Sequence, residues 1–328
     1  MIKTSINTDY NNDFHDWNAI EHQIKMIAKA GFTNVQWIHD WEGEYLYSKS
    51  EMYQARDVLR YYGLEANTIH ATEGGIRHKI VNGKSVPIAK ERCSSARKDY
   101  TSANEYLRLA GVDLLKNRIE LCSHIGAKAM VLHMQLPYGI FEKSKEDMED
   151  YYKQVYKSFD EIQEFAKAAG VKIALENLLF TPIRYQLDKY DRMFSRYDED
   201  FVGLCFDSGH ASIMSQDNPY LFLEKYSDRL IATHLQDNDS LEKEFLDDEA
   251  IVAGADKHRL PFDGVLDWKK IAEWISKAPI LLPADMEVCL QYGKLFNDDE
   301  KELEVLLQAR KCSEKLHGMI EEFKREDH

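Results

Sequence analysis

Short β-rich runs alternate with longer helical patterns from end to end of the chain, which predicts an α/β protein of the (β/α)8 TIM-barrel class. Two further observations support that class. The runs recur at about 40 residues per unit, the spacing a barrel of this size needs. Several helical patterns also close on glycine just before an apolar run, as they must if the chain is to turn back into a strand.

The eight candidate strands are Ile2–Ile6, Asn34–Ile38, Glu65–His70, Ala129–His133, Val171–Glu176, Val202–Asp207, Leu230–His234 and Ile280–Glu287. The glycine device stands at Lys29-Ala30-Gly31-Phe32, Tyr62-Gly63-Leu64, Ile125-Gly126-Ala127 and Ala169-Gly170-Val171. The last helix, roughly Asp299–Phe323, places Leu303, Leu306, Leu307, Leu316, Met319, Ile320 and Phe323 on one apolar stripe for packing against the barrel. No linker interrupts the pattern, so residues 1–328 read as one barrel domain. One connection is long: residues 71–100, after the third strand, contain Asn82-Gly83 between two short β-rich runs, a hairpin signal. A connection of that length with its own hairpin is expected to act as a lid or binding element.

With 44% hydrophobic and 11% aromatic residues, 7 Pro and 16 Gly, the 328-residue chain can bury a full core and is neither fibrous nor low in complexity. Its net charge of −15 disfavours nucleic acid and anionic membranes as partners. Five cysteines without a C-x-x-C pair suit reduced thiols in a cytoplasm. The N-terminal residues show no apolar signal region, and no stretch approaches a membrane span, so export and membrane insertion are not expected.

In a parallel barrel every strand ends on the same face, so residues there converge however far apart in sequence. These ends are rich in potential ligands: His70, His133, Glu176, Asp207 with His210, His234 and Glu287, with Asp256 and His258 in the connection after the seventh strand. A single histidine or carboxylate at a strand end is ordinarily satisfied by backbone or by an ion pair. Six consecutive strands ending this way are hard to explain by independent accidents. A carboxylate behind an apolar run must be paired or must coordinate a cation. Mixed carboxylate and imidazole donors suit Zn²⁺ or Mn²⁺, with Mg²⁺ or Co²⁺ possible.

The segments Ala174-Leu175-Glu176-Asn177, Phe206-Asp207-Ser208-Gly209-His210, Thr233-His234, Asp256-Lys257-His258-Arg259 running to Asp267-Trp268, and Met286-Glu287 resemble the xylose isomerase-like TIM-barrel superfamily of sugar phosphate isomerases and epimerases, whose other branch is the endonuclease IV type. The resemblance extends over essentially the whole chain. Its epimerase pattern implies one metal held by Glu176, Asp207, His234 and Glu287. Its endonuclease pattern adds His70, His133, His210, Asp256 and His258 as ligands of a trinuclear zinc site. Residues of the right type stand at all nine places, so the ligand set alone leaves both branches open.

Under the first reading a sugar chelates the metal, and Glu176 and Glu287, on opposing strands of the ring, act as the proton-transfer pair of a metal-stabilised enediolate. Asp207 and His234 are then ligands only, while His210 and Arg259 hold the far end of the sugar. Under the second, zinc ions activate water against a phosphodiester of abasic DNA, which the −15 charge opposes. A third reading, a carbohydrate-binding barrel without turnover, ranks last because both glutamates are present. Arg77, Lys79, Lys84, Lys90, Arg92, Arg97 and Lys98 against Glu91 make the 71–100 connection strongly basic, suited either to solvent or to an anionic sugar. Trp37, His39, Trp41, Tyr138 and Phe141 are candidates to present ring faces at the mouth, Trp37 being the expected substrate contact, with core packing as the plain alternative. The expected partner is thus a small carbohydrate, neutral or anionic. A homo-oligomer is compatible with the sequence, but no segment marks an interface.

Overall fold

In a computed structural model the chain is described over residues 2–11, 16–72, 74, 78–81, 84–87, 90–91, 96–215, 217–280, 283–290 and 298–326, with backbone alone for 78–81 and 84–87. The repeating unit is built as the local chemistry requires. Helix α1 (Trp17–Ala30) follows strand β1 (Ser5–Asn7), and its first turn is capped by the Asp16 carboxylate, which accepts from the N–H groups of Asn18 and Ala19. Gly31, at φ 86°, closes it and turns the chain into β2 (Asn34–Trp37). The next unit repeats this with α2 (Lys49–Tyr62), which starts on a reciprocal Ser48–Glu51 capping box, ends at Gly63 and delivers β3 (Glu65–Ala71).

After β3 the antiparallel pair β4 (His78–Val81) and β5 (Lys84–Pro87) forms the expected hairpin, its Asn82-Gly83 turn lying outside the described residues. The barrel then resumes with α3 (Glu105–Ile125), β6 (Ala129–Leu132), the short α4 (Tyr138–Phe141), α5 (Lys145–Ala169) and β7 (Lys172–Glu176). The remaining elements are α6 (Ile183–Arg196), β8 (Val202–Asp207), α7 (Ser208–Met214), α8 (Leu221–Tyr226), β9 (Leu230–His234), α9 (Glu249–Ala255), α10 (Trp268–Lys277), β10 (Asp285–Met286) and α11 (Asp299–Glu326).

Eight parallel strands in the order β10-β1-β2-β3-β6-β7-β8-β9 form a nearly closed barrel with the helices outside. The remaining seam is bridged where Leu235 N–H donates to the Asp285 carbonyl at 3.1 Å and Glu287 N–H donates to the Leu235 carbonyl at 3.3 Å. Inside, Val131, Ala174, Cys205, Ile231 and Ala232 make a small apolar plug. Beside it the buried Asp285 carboxylate accepts from Ser5 Oγ, Thr68 Oγ1 and Asn67 Nδ2, so this acid belongs to the barrel's framework. The main core lies between sheet and helices.

Two strands differ from expectation by more than one residue. The first runs Ser5–Asn7 rather than Ile2–Ile6. The eighth is only Asp285–Met286, with 281–282 outside the described residues. On α11 the stripe is buried at Leu306, Leu316 and Ile320, whereas Leu307 is exposed. Polar Glu302, Ser313 and His317 share the buried face because each has a partner: Glu302 accepts from the Tyr10 hydroxyl, and His317 Nε2 accepts from the Ala284 N–H. Among the described residues no helix is long and apolar enough to cross a membrane.

Gly111 of α3 marks the tightest approach of helix to connection: a Cβ there would lie 2.1 Å from the backbone nitrogen of Tyr100. Because the obstacle is backbone, Gly111→Ala should lower stability by about 1–3 kcal/mol, read as a lower urea midpoint at unchanged m.

Candidate functional site

Strand β7 ends at Glu176, β8 at Asp207 and β9 at His234, and Glu287 follows directly on β10, so four ligand-type side chains leave neighbouring strands at the same level of the ring. The first three are wholly buried and Glu287 is 9% exposed. At the centre stands His234 Nδ1, 3.1 Å from Glu176 Oε2, 2.9 Å from Glu287 Oε2 and 3.9 Å from Asp207 Oδ2. The two glutamates are not face to face: β7 and β10 are three places apart in the ring, and their carboxylates close on His234 from either side of β8 and β9.

The other five expected residues join them. His133 Nε2 lies 2.9 Å from Glu176 Oε2 and 3.2 Å from His70 Nε2. His210 Nδ1 lies 3.0 Å from Glu176 Oε1, and its Nε2 faces Asp256 at 3.5 Å. Asp256 in turn bonds His258 Nε2 at 3.0 Å. His258 sits at φ 46°, a left-handed conformation unusual for a residue with a side chain, and the Glu287 carbonyl lies 3.3 Å from its Nδ1. All nine positions therefore belong to one constellation, in which His133, Asp256 and His258 are half-buried and the rest buried.

Supporting groups hold it in place. Asn177 clamps the backbone of Asp207 from both sides: its Nδ2 donates to the Asp207 carbonyl, and its Oδ1 accepts from the Asp207 N–H, each at 2.8 Å. Asp207 Oδ1 caps α7 by accepting from the His210 N–H at 2.6 Å. Lys189, wholly buried on α6, donates to the Glu176 carbonyl at 2.6 Å. From the far side of the barrel Gln36 reaches His234 Nε2 with its side-chain amide at 2.6 Å. The two ends of an amide are isosteric, and Gln36 Oε1 otherwise has no partner. The arrangement that satisfies it has Oε1 accept from Nε2–H, which leaves Nδ1 facing the carboxylates.

Three buried atoms at the centre have no hydrogen bond despite their neighbours: Glu176 Oε1, His234 Nδ1 and Glu287 Oε2. Orphaned acceptors among carboxylates at 3 Å are costly, and a divalent cation is what this donor set fits. Glu176, Asp207, His234 and Glu287 are the residues able to hold it. His210, Asp256 and His258 offer ligand atoms within 4.8 Å of one another and form a second group of the same chemistry.

Charge compensation sets the direction in which each group of the cluster is shifted. Burial pushes Glu176 and Glu287 toward neutrality, but the surrounding imidazoles outweigh it: His133 and His234 hold Glu176 well below the usual range, and His234 holds Glu287 at about 2. His210 and His258 are raised against the cost of burial by Asp207 and Asp256, His258 to about 10. Burial and the neighbouring Glu176 push Asp207 up to about 6, and burial with His133 brings His70 down to about 3.

Two expected substrate contacts are corrected. Trp37 is fully buried in the main core, packed on Trp17 and His39, with its Nε1–H donating to the Tyr47 hydroxyl. Strand β2 turns it outward because the alternate residue, Gln36, faces the barrel interior. Trp41 instead stands at the site, its ring 5.1 Å from His70 and 5.5 Å from His133. Arg259 has its guanidinium forked on the Asp239 carboxylate, which occupies the donors a substrate would need. Gln36, Lys189 and Asp9 were not singled out from sequence. A polar residue inside the apolar Asn34–Ile38 run was the one signal available, and it pointed to Gln36.

The architecture and the strand-end constellation define a (β/α)8 barrel whose strand ends carry side chains able to hold a metal. Residues 24–292 match the xylose isomerase-like TIM barrel family, and the chain belongs to it. It is 34% identical over 270 residues to an uncharacterized protein, y4fM, of Sinorhizobium fredii (strain NBRC 101917 / NGR234), covering 82% of this chain and 81% of that one. It is also 25% identical over 165 residues to an inosose dehydratase of Lacticaseibacillus casei, 47% of this chain and 55% of the relative, so the match spans about half of that enzyme's length. The fold is similar to that of a D-tagatose 3-epimerase-like protein, with TM-score 0.64 and 16% identity over 98% of this chain and 99% of that one.

Two predictions follow from the supporting groups. Removing the Gln36 contact in Gln36→Leu should weaken divalent-metal affinity by about 10–100-fold, measured by titrating chelator-stripped protein with Mn²⁺ or Zn²⁺. Asp9, buried beside the site and bonded to Asn7 Nδ2, is raised to about 7 chiefly by burial. Between about pH 4 and 7 the folded protein therefore keeps a proton that the unfolded chain releases, and Asp9 costs stability as pH rises through that window. In metal-free protein Asp9→Asn should gain about 2–4 kcal/mol over wild type at pH 8 and little at pH 4, by urea unfolding.

Proposed function

We propose that the protein is a divalent-metal-dependent isomerase or epimerase of a small carbohydrate, neutral or carrying a phosphate or acid group. The observation that carries this reading is the pair of buried glutamates, Glu176 and Glu287, each within about 3 Å of His234 and each with a side-chain oxygen lacking a hydrogen bond. Glu176, Asp207, His234 and Glu287 would hold the metal, which supplies Lewis-acid polarisation of a substrate carbonyl and acidifies the neighbouring C–H.

The chain's own groups do the rest. Glu176 and Glu287 are both held ionised, as bases must be. One takes the proton from the carbon beside the carbonyl, so that the C–H electron pair moves into an enediolate. For epimerisation the other, having taken a proton from solvent, returns it to the opposite face while the first releases its own to water; for isomerisation the first returns its proton to the adjacent carbon. Their approach from either side of β8 and β9 suits a substrate lying between them. Trp41 offers an aromatic face to the sugar's C–H surface. Likeness to inosose dehydratases supports the same first step, proton abstraction beside a carbonyl, with loss of a neighbouring hydroxyl as water in place of reprotonation.

Glu176→Gln and Glu287→Gln should each abolish solvent-deuterium incorporation into a ketose or keto-cyclitol substrate, followed by NMR. Exchange retained in both would overturn the scheme, and an enone product in wild type would assign dehydration instead. Metal content is the companion measurement: protein purified without chelator should carry close to one Mn²⁺ or Zn²⁺ per chain, and less than about 0.3 with no rescue by added metal contradicts the proposal. The nine-residue constellation also favours a second reading, a zinc phosphodiesterase acting on abasic DNA. Nearly three zinc per chain together with cleavage of such DNA would select it.

A further inference from the structure

We infer that the β4–β5 hairpin is a fixed roof over this site and that it restricts the substrate to a free, monosaccharide-sized polyol, excluding sugars carried on a glycoside or a polymer. The substrate class rests on the function proposed above, while the roof rests on connectivity. β5 packs against α9. β3, which launches the hairpin, is the third strand of the ring, and α9 belongs to the connection after the seventh. In a ring of eight those strands are diametrically opposed, so a segment rooted on one side of the mouth rests on a helix rooted on the other.

The hairpin is supported on its way and clamped at its base. On the return, the Lys90 carbonyl accepts from the Gly139 N–H at 3.1 Å, in the connection after the fourth strand, and a Cβ on Gly139 would meet that carbonyl at 2.9 Å. At the base, Gly74 pairs with Gly43, Thr72 Oγ1 donates to the Gly43 carbonyl at 2.6 Å, and the Glu44 carboxylate accepts the N–H groups of both Arg97 and Lys98. Gly74, at φ 109°, runs so close to the returning chain that a Cβ would lie 2.1 Å from the Lys98 carbonyl oxygen. The two ends of the insertion are therefore held together and fastened to the connection that carries Trp41 beside His70 and His133.

The far support is equally anchored. Val252 of α9 packs on Ile213 and Met214 of α7, the helix capped by Asp207. The result is a site whose carboxylates and central imidazole are almost out of contact with solvent: Glu176, Asp207 and His234 are wholly buried, and His210 is 7% exposed. A glycosyl substituent on the substrate's far end would meet the hairpin, and a duplex would have to pass beneath it. Of the basic residues on this insertion, Arg77 and Arg92 lie outside the described residues, Arg97 is exposed, and Lys98 lies 4.0 Å from Glu44.

Two variants of the metal-loaded, full-length protein test the inference. One replaces residues 78–87 with a Gly-Ser link, and the other, Glu44→Ala, releases the clamp without a deletion. Reactivity of His133 and His258 toward diethylpyrocarbonate, read by peptide mass spectrometry, should rise by about tenfold or more in the shortened protein and less in Glu44→Ala. Unchanged reactivity in both overturns the roof. Solvent-deuterium incorporation is then compared for D-tagatose and D-fructose against isomaltulose, a fructose carrying a glucosyl group. Wild type should prefer the free ketoses by about 100-fold in kcat/KM, and the shortened protein should narrow that ratio by about tenfold. Equal use of both sugar types by wild type, or a ratio unmoved by shortening, overturns size selection. Raised histidine reactivity without exchange into any ketose overturns the carbohydrate class while upholding the roof.

Discussion

Four carboxylates buried in one cavity at the end of a barrel set the condition that the surrounding structure must meet. Glu176, Asp207, Asp256 and Glu287 lie within reach of one another's fields, and leaving several such charges uncompensated in a dry site would cost far more than the few kcal/mol that keep a domain folded. The protein answers with imidazoles. Each acid has at least one histidine close by, and His234 serves Glu176 and Glu287 at once. A divalent cation would complete the same compensation with a smaller, fixed charge, and the donor atoms that lack hydrogen bonds are ones a metal could use.

That requirement explains details further out. Asn177 grips the Asp207 backbone and Lys189 holds the Glu176 carbonyl because ligand-type side chains are useful only if their main chain cannot drift. Gln36 crosses the barrel to orient the His234 ring. Even α7 is tied in, since its N-terminal cap is Asp207 itself, so the helix and the site share one carboxylate. The strained backbone at His258 is the local cost of aiming its ring at Asp256.

The inferred roof narrows what the proposed chemistry could act on. Under that reading, a covered site with paired carboxylates suits proton transfer on a small polyol, where excluding water protects the charged intermediate from premature protonation. An open basic groove, the usual answer to a polymer with many phosphates, would need surface that a chain of net charge −15 does not obviously provide.

Much of this was legible in the chain. The 3.6- and 2-residue periodicities, the glycine caps and the even spacing of units are local consequences of backbone geometry, so they specified the barrel, its hairpin insertion and its strand-end ligands: in a parallel barrel, position along a strand is position in space. The ligand-type residues at strand ends, His70, His133, Glu176, Asp207, His234 and Glu287, were for that reason readable before any coordinates. What only the tertiary structure decided were facings and partners. Trp37 and Gln36 are adjacent and so face opposite ways, and only the folded ring shows that the glutamine points inward to His234 and the tryptophan outward into the core. Arg259 had the right charge for a substrate contact but is held by Asp239. Sequence assigned the 71–100 insertion a lid's length without saying what it rests on. Contacts between the hairpin after strand three and the helix after strand seven, or between Glu44 and Arg97, depend on closure of the whole ring, which no local pattern encodes.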